Sequence, residues 1–120
     1  MQVGTREVEP GRFVLAPLGD IDMAGIRPVE QALQTVLDRP GMVEIVVDLA
    51  EVPFLDSTGV ATLLRGAAEA VGRCASLRVA NPRPLVARVL RITAVDTLLG
   101  LPGGDADGTS SVEPGWRRLR

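Results

Sequence analysis

Met42-Val43-Glu44-Ile45-Val46-Val47-Asp48-Leu49 is a β-branched run, nearly continuous in apolarity and interrupted only by Glu44 and Asp48. A strand wetted on one face alternates polar and apolar residues. A run like this one predicts a strand buried on both faces, at the centre of a sheet covered by helices. The flanks agree. Upstream, Met23, Ile26, Val29, Leu33, Val36 and Leu37 recur at three- and four-residue spacings, the stripe of a helix, while Glu30, Gln34 and Asp38 fall at other angles. Asp22 is the expected N-cap, and Arg39-Pro40-Gly41 ends the helix because proline cannot continue it. Downstream, Val60, Leu63, Leu64, Ala67, Ala68 and Val71 write a second helix, with Gly72 as its expected end.

Further out, Arg12 to Leu18 (RFVLAPL) reads as a strand after the turn pair Pro10-Gly11, with Thr5 to Glu9 as its hairpin partner. Leu77 and Val79 alternate with Ser76, Arg78 and Ala80, a short strand that Asn81-Pro82 breaks. Pro84 suits the first position of a third helix, with Leu85, Val86, Val89 and Leu90 facing inward, and Leu98 to Leu101 is expected to add a last short strand. Strands alternating with helices give an α/β class, one domain over residues 3–101. Pro102 to Gly115 (PGGDADGTSSVEPG) has two apolar side chains and cannot offset its ordering entropy by burial. Residues 102–120 are therefore expected to form a flexible tail that ends in Trp116-Arg117-Arg118-Leu119-Arg120.

Composition narrows the chemistry. The chain has 120 residues, no histidine, one cysteine and thirteen basic residues against fifteen acidic ones. All thirteen are arginine. Without excess positive charge, nucleic-acid binding is not expected. Without histidine there is no Ser-His-Asp triad and no imidazole base. With Cys74 alone there is no disulfide framework and no cysteine-based metal site, and the residue is expected to be small and partly buried. Asp20 and Asp22 lie two apart in a turn and read as turn and cap residues, so no metal or other cofactor is expected. Asp48 is expected to bond loop amides. No apolar stretch approaches the ~18 residues of a membrane span, and no export signal is legible, so a cytoplasmic protein with no membrane contact is expected.

The informative element is Val52-Pro53-Phe54-Leu55-Asp56-Ser57-Thr58-Gly59, which joins the central strand to the second helix. Asp56 and Ser57 are both good N-caps, and Gly59 permits close approach at the first turn. Taken plainly this is a capped helix start. It also presents a hydroxyl where a phosphate would meet free N–H groups and the positive helix end, which makes Ser57 a chemically reasonable phosphoacceptor. No base is present to turn Ser57 into a nucleophile, and no lysine is present for a Walker-type loop, so no enzyme activity is expected.

The order Gly19-Asp20-Ile21-Asp22, helix, Ile45-Val46-Val47-Asp48-Leu49, then Phe54-Leu55-Asp56-Ser57-Thr58-Gly59 and an amphipathic helix resembles STAS-domain proteins, and among them the bacterial anti-sigma factor antagonists. The resemblance covers residues 3–101 and includes Ile92 to Leu99, where Ala94 replaces the usual glycine. It implies a STAS-like mixed sheet covered by helices. It further implies that Ser57 is phosphorylated by a serine kinase that is also the anti-sigma factor. The unphosphorylated chain would bind that kinase and free the sigma factor, and a phosphatase would reset Ser57. Asp20, Asp22, Asp56, Ser57, Thr58, Gly59, Val60 and Leu64 match the partner-facing surface of the family, with Val60 and Leu64 as aliphatic anchors. The family commonly adds a final strand and helix where this chain has Pro102 to Gly115. Relatives without a phospho-switch imply the second reading, a STAS subunit or scaffold of a transporter or stress-signalling assembly.

Overall fold

The computed structural model describes residues 1–92. Two strands open the chain, β1 (Gln2–Glu9) and β2 (Arg12–Leu18), and α1 (Ile26–Leu37), β3 (Glu44–Asp48), α2 (Ser57–Gly72), β4 (Ser76–Ala80) and α3 (Pro84–Ile92) follow. The sheet order is β1-β2-β3-β4, with β1 antiparallel to β2 and the other neighbours parallel. The sheet is therefore mixed, as expected. β1 is longer than the Thr5–Glu9 of the sequence reading, because backbone pairing with β2 runs back to Gln2 opposite Leu18 and does not depend on apolar side chains. Gly11 makes the hairpin corner possible. Its φ is +80°, and a Cβ there would lie 2.5 Å from the Gly41 carbonyl oxygen. The expected strand at 98–101, the tail at 102–120 and most of the Ile92–Leu99 segment lie outside the described residues.

Two crossovers, β2–α1–β3 and β3–α2–β4, join parallel neighbours and place both helices on one face of the sheet. That face carries Phe13, Leu15, Ile45, Val47, Leu77 and Val79, all buried in one core with Val29, Leu33, Val36 and Leu63. Burial of β3 is unequal on its two sides. Ile45 and Val47 are fully buried, while Val46 and Asp48 on the opposite face are half-buried. The opposite face also holds the buried carboxylate of Glu44. It receives Arg12 Nη1 at 3.3 Å and Arg78 Nε at 3.2 Å, so the desolvated charge is paired on both sides.

Several helix faces depart from the periodic reading. α1 starts at Ile26 and leaves Met23 75% exposed, because the backbone and side chain of Asp22 both accept from Gly25 N–H at 3.0 Å and close a turn first. Asp22 is thus a turn residue, and Gly25 is the N-cap. α2 buries Thr62, Gly66 and Ala70, while Ala68 and Val71 are exposed. The small side chains explain the rotation: a Cβ on Gly66 would touch Leu77 Cδ1 at 3.1 Å and Leu33 Cδ1 at 3.5 Å, so the helix rests on its narrow side. α3 begins at Pro84 as expected, buries Val86 and Leu90, half-buries Val89 and leaves Leu85 exposed.

The ends of α1 and α2 are tied by one arginine. Arg73 Nη1 donates to the Leu37 carbonyl at 2.6 Å and to Asp38 Oδ1 at 2.9 Å, supplying the positive charge that the last turn of α1 lacks. The Arg73 hydrogen bond, with a second from Gln34, holds the Asp38 carboxyl below the usual carboxylate range. The next residue, Cys74, is exposed and has φ +59°, in place of the partly buried cysteine expected. Its N–H reaches Val71 O and that of Ala75 reaches Ala70 O, the double closure of a Schellman motif whose left-handed position glycine usually fills. Cys74→Gly relieves that strain. It is expected to stabilise the domain by about 1 kcal/mol, a melting-temperature rise of roughly 4–8 °C read by circular dichroism.

Candidate functional site

Two segments meet beyond the carboxyl ends of β2 and β3. Gly19 N–H donates to Glu51 O at 3.0 Å, Ile21 N–H to Phe54 O at 2.9 Å, and Asp56 N–H to Ile21 O at 3.1 Å. Ile21 and Leu55 form a parallel bridge, and both side chains are buried. The 19–25 turn and the 51–56 loop are thus sewn together along the backbone before α2 begins.

Asp56 completes the junction. It has extended backbone and caps α2: Oδ1 accepts from Gly59 N–H at 3.1 Å, while Oδ2 accepts from Met23 N–H at 3.3 Å. Of the two expected N-caps, the structure therefore selects Asp56 and places Ser57 at the first helical position, exposed. The backbone N–H groups of Ser57 and Thr58 have no hydrogen-bond partner among the described residues. Gly59 is buried, and a Cβ there would collide with Leu55 Cδ1 and lie 2.9 Å from the Ile21 carbonyl oxygen. Only glycine lets the first turn of α2 sit against Ile21.

The structure brings Asp22, Asp56, Ser57, Thr58 and Gly59 to this junction, with Asp20 exposed beside it. Val60 does not belong to the surface. It is 6% exposed and part of the core, because its helical position points it beneath the first turn. Leu64 is half-buried against the core. Two exposed residues at the junction went unrecognised in the sequence, Met23 at 75% and Phe54 at 40%. Met23 matched the helical stripe of α1, which concealed it. Phe54, an aromatic between Pro53 and the Asp56 cap, was the signal that could have been used. Asp48 accepts from Ala50 N–H and from Asn81 Nδ2, as its placement at a strand end led one to expect. Among the described residues no group of three or more His, Cys, Asp or Glu could hold a metal ion, and no helix is long and apolar enough to cross a membrane.

The family model described as "Mlab, STAS domain" matches residues 7–100. The chain belongs to the STAS domain family. No curated protein matches this STAS domain by sequence. Among solved structures, it is similar to the anti-sigma factor antagonist SpoIIAA in its unphosphorylated form, at 19% identity and TM-score 0.71, covering 80% of this chain and 84% of that one. The Bacillus cell fate determinant SpoIIAA in the phosphorylated form is similar at 16% identity and TM-score 0.67, covering 99% and 100%. An anti-sigma factor antagonist from Mycobacterium paratuberculosis is similar at 29% identity and TM-score 0.71, covering 83% and 85%. The likenesses to SpoIIAA show a shared fold.

The junction makes a stability test direct. Asp56→Ala removes the cap and the Met23 bond, and a loss of about 1–2 kcal/mol is expected in urea unfolding. Gly59→Ala inserts a methyl group into packed backbone, with an expected loss of about 1–3 kcal/mol. A Gly59→Ala protein as stable as the parent would show that α2 can move off Ile21 without cost.

Proposed function

We propose that this STAS domain is a regulatory binding protein, an anti-sigma factor antagonist controlled by phosphorylation of Ser57. The observation that carries the reading is the exposed Ser57 hydroxyl at the first position of α2, beside the capping carboxylate of Asp56. The unphosphorylated protein binds a serine kinase anti-sigma factor and thereby releases the sigma factor. Phosphorylation ends that binding, and a phosphatase restores it. The contact surface comprises Asp20, Asp22, Asp56, Ser57 and Thr58, with Leu64 at its margin. Gly59 and Val60 shape it from beneath.

Two lines support this. SpoIIAA, a neighbour in fold, is known in unphosphorylated and phosphorylated forms. Physically, a phosphate adds a charge of about −1.5 to −2. On Ser57 it meets the free N–H groups of Ser57 and Thr58 at a helix N-terminus, so the free domain tolerates it. Against a docked partner the same bulky dianion must be desolvated in a fit made for a neutral hydroxyl, at a cost of at least about 2 kcal/mol, roughly thirty-fold in affinity. The switch therefore alters binding and leaves the fold alone.

The test is a pulldown from lysate of the source organism with ADP added, using wild type, Ser57→Ala and Ser57→Asp as baits. The expected result is a small kinase retained by wild type and Ser57→Ala and lost, by roughly thirty-fold or more, with Ser57→Asp, whose circular dichroism matches wild type. Equal retention of the same transporter or scaffold proteins by all three baits would transfer the protein to the second reading, a STAS subunit or scaffold without a phospho-switch.

A further inference from the structure

Nine large apolar side chains are exposed among the described residues, and four of them gather at one pole. Leu18 (46%) ends β2 where the sewn junction begins, Phe54 (40%) accepts the Ile21 N–H through its carbonyl, and Met23 (75%) donates its N–H to Asp56. Met1 (41%) lies beside them: it precedes Gln2, the partner of Leu18, and its Cε is 3.8 Å from where a Cβ on Gly25 would stand. The other five are scattered over β1, the approach to β3, the end of α2, and α3.

The same pole is acidic. Neither residues 13–26 nor residues 40–64 contain an arginine, and together they present Asp20, Asp22, Glu51 and Asp56 at the junction. Glu51 is paired with Arg83 at 3.6 Å, whereas Asp20, Asp22 and Asp56 form no ion pair among the described residues. Arg27, exposed in the first turn of α1, is the basic residue that follows directly in the chain. Asp22 and Asp56 spend oxygens on backbone N–H groups, which fixes the carboxylates without neutralising them. A scattered exposed methionine needs no explanation. Four apolar side chains on a rigid, negatively charged pole are the composition of an interface core inside a charged rim.

From this we infer that the pole docks a cationic protein surface, one with an apolar pocket rimmed by Arg or Lys, and that Met23 and Phe54 are its principal anchors. This rests on the reading above that the Ser57 end is the contact surface, and it adds the chemistry of the partner and the kinetic step that is regulated. Long-range attraction between an acidic pole and a cationic partner accelerates encounter and is screened by salt. A phosphate on Ser57 has the same sign as the pole. It cannot weaken that attraction, so it acts after contact, where a bulky dianion in a fit made for a hydroxyl must be desolvated and speeds dissociation. Phosphorylation thus edits residence time and leaves encounter intact.

The experiment uses the full chain against the protein that the wild-type bait retains in the pulldown. Association and dissociation rates are measured by surface plasmon resonance at 50 and 300 mM NaCl. Met23→Ser and Phe54→Ser, each with unchanged circular dichroism, are expected to weaken binding about tenfold or more through faster dissociation. Val71→Ser, at an exposed site on the far end of α2, is expected to change it less than twofold. Association is expected to fall several-fold at the higher salt, and Ser57→Asp to raise the dissociation rate without slowing association at the lower one. Binding that tolerates both substitutions, or an association rate indifferent to salt, overturns the inference. If both substitutions weaken binding but Ser57→Asp does not, the docking surface stands and the phospho-switch fails.

Discussion

The missing side chain of Gly59 is the constraint on which the site depends. Because nothing projects from that position, the first turn of α2 settles onto the Ile21 backbone and the Leu55 side chain. Asp56 then reaches both ways, to its own helix and to Met23. Remove the close approach and the start of α2 lifts away from the surface that the turn at 19–25 and the loop at 51–56 form together. With it they form one rigid surface on which the orientation of a serine hydroxyl is set by the helix it begins. The chemistry proposed for Ser57 follows from where backbone packing leaves it, at the exposed first position of α2.

Much of this was legible in the sequence, for reasons that can be named. Ile45, Val46 and Val47 marked the central strand because a β-branched run has few other uses, and Asp56 with Gly59 marked a helix start because caps and close approaches are local events. What stayed hidden was tertiary. Met23 has the right spacing for the α1 stripe, and only the prior turn on Asp22 puts it outside. Val60 and Val71 are both apolar residues of α2, yet one is in the core and the other in water. Their fates depend on Gly66 resting on Leu77 and Leu33, which turns the helix toward its small residues. Periodicity gives a stripe but not the partner that decides which edge of the stripe is covered. Likewise Cys74 shows that the position after a helix can be left-handed without glycine, since the Schellman closure is made by backbone atoms alone.

The two ends of the helix pair are held by different physics. At the far end Arg73 binds the last carbonyl of α1 and the Asp38 carboxylate, a charged clasp open to solvent and to salt. At the near end the connections are main-chain hydrogen bonds, close-packed apolar atoms and the Asp56 carboxylate on backbone N–H groups, with no ion pair among the described residues for salt to screen. A pole built in the second way keeps its shape across ionic conditions.

The sewing of the 19–25 turn to the 51–56 loop has a consequence for how such a domain diversifies. Three joining bonds, from Gly19 to Glu51, from Ile21 to Phe54 and from Asp56 to Ile21, are made by main-chain atoms, and the one side chain among the described residues that adds to them is that of Asp56 on Met23 N–H. The outward side chains at positions 18, 20, 54 and 57 take no part in holding the surface together. Substitutions there would alter what the pole recognises at little expense to folding. After gene duplication, copies of the domain could therefore drift apart in partner choice while sharing one scaffold, and parallel signalling circuits in a single cell would be insulated from one another by a few side chains.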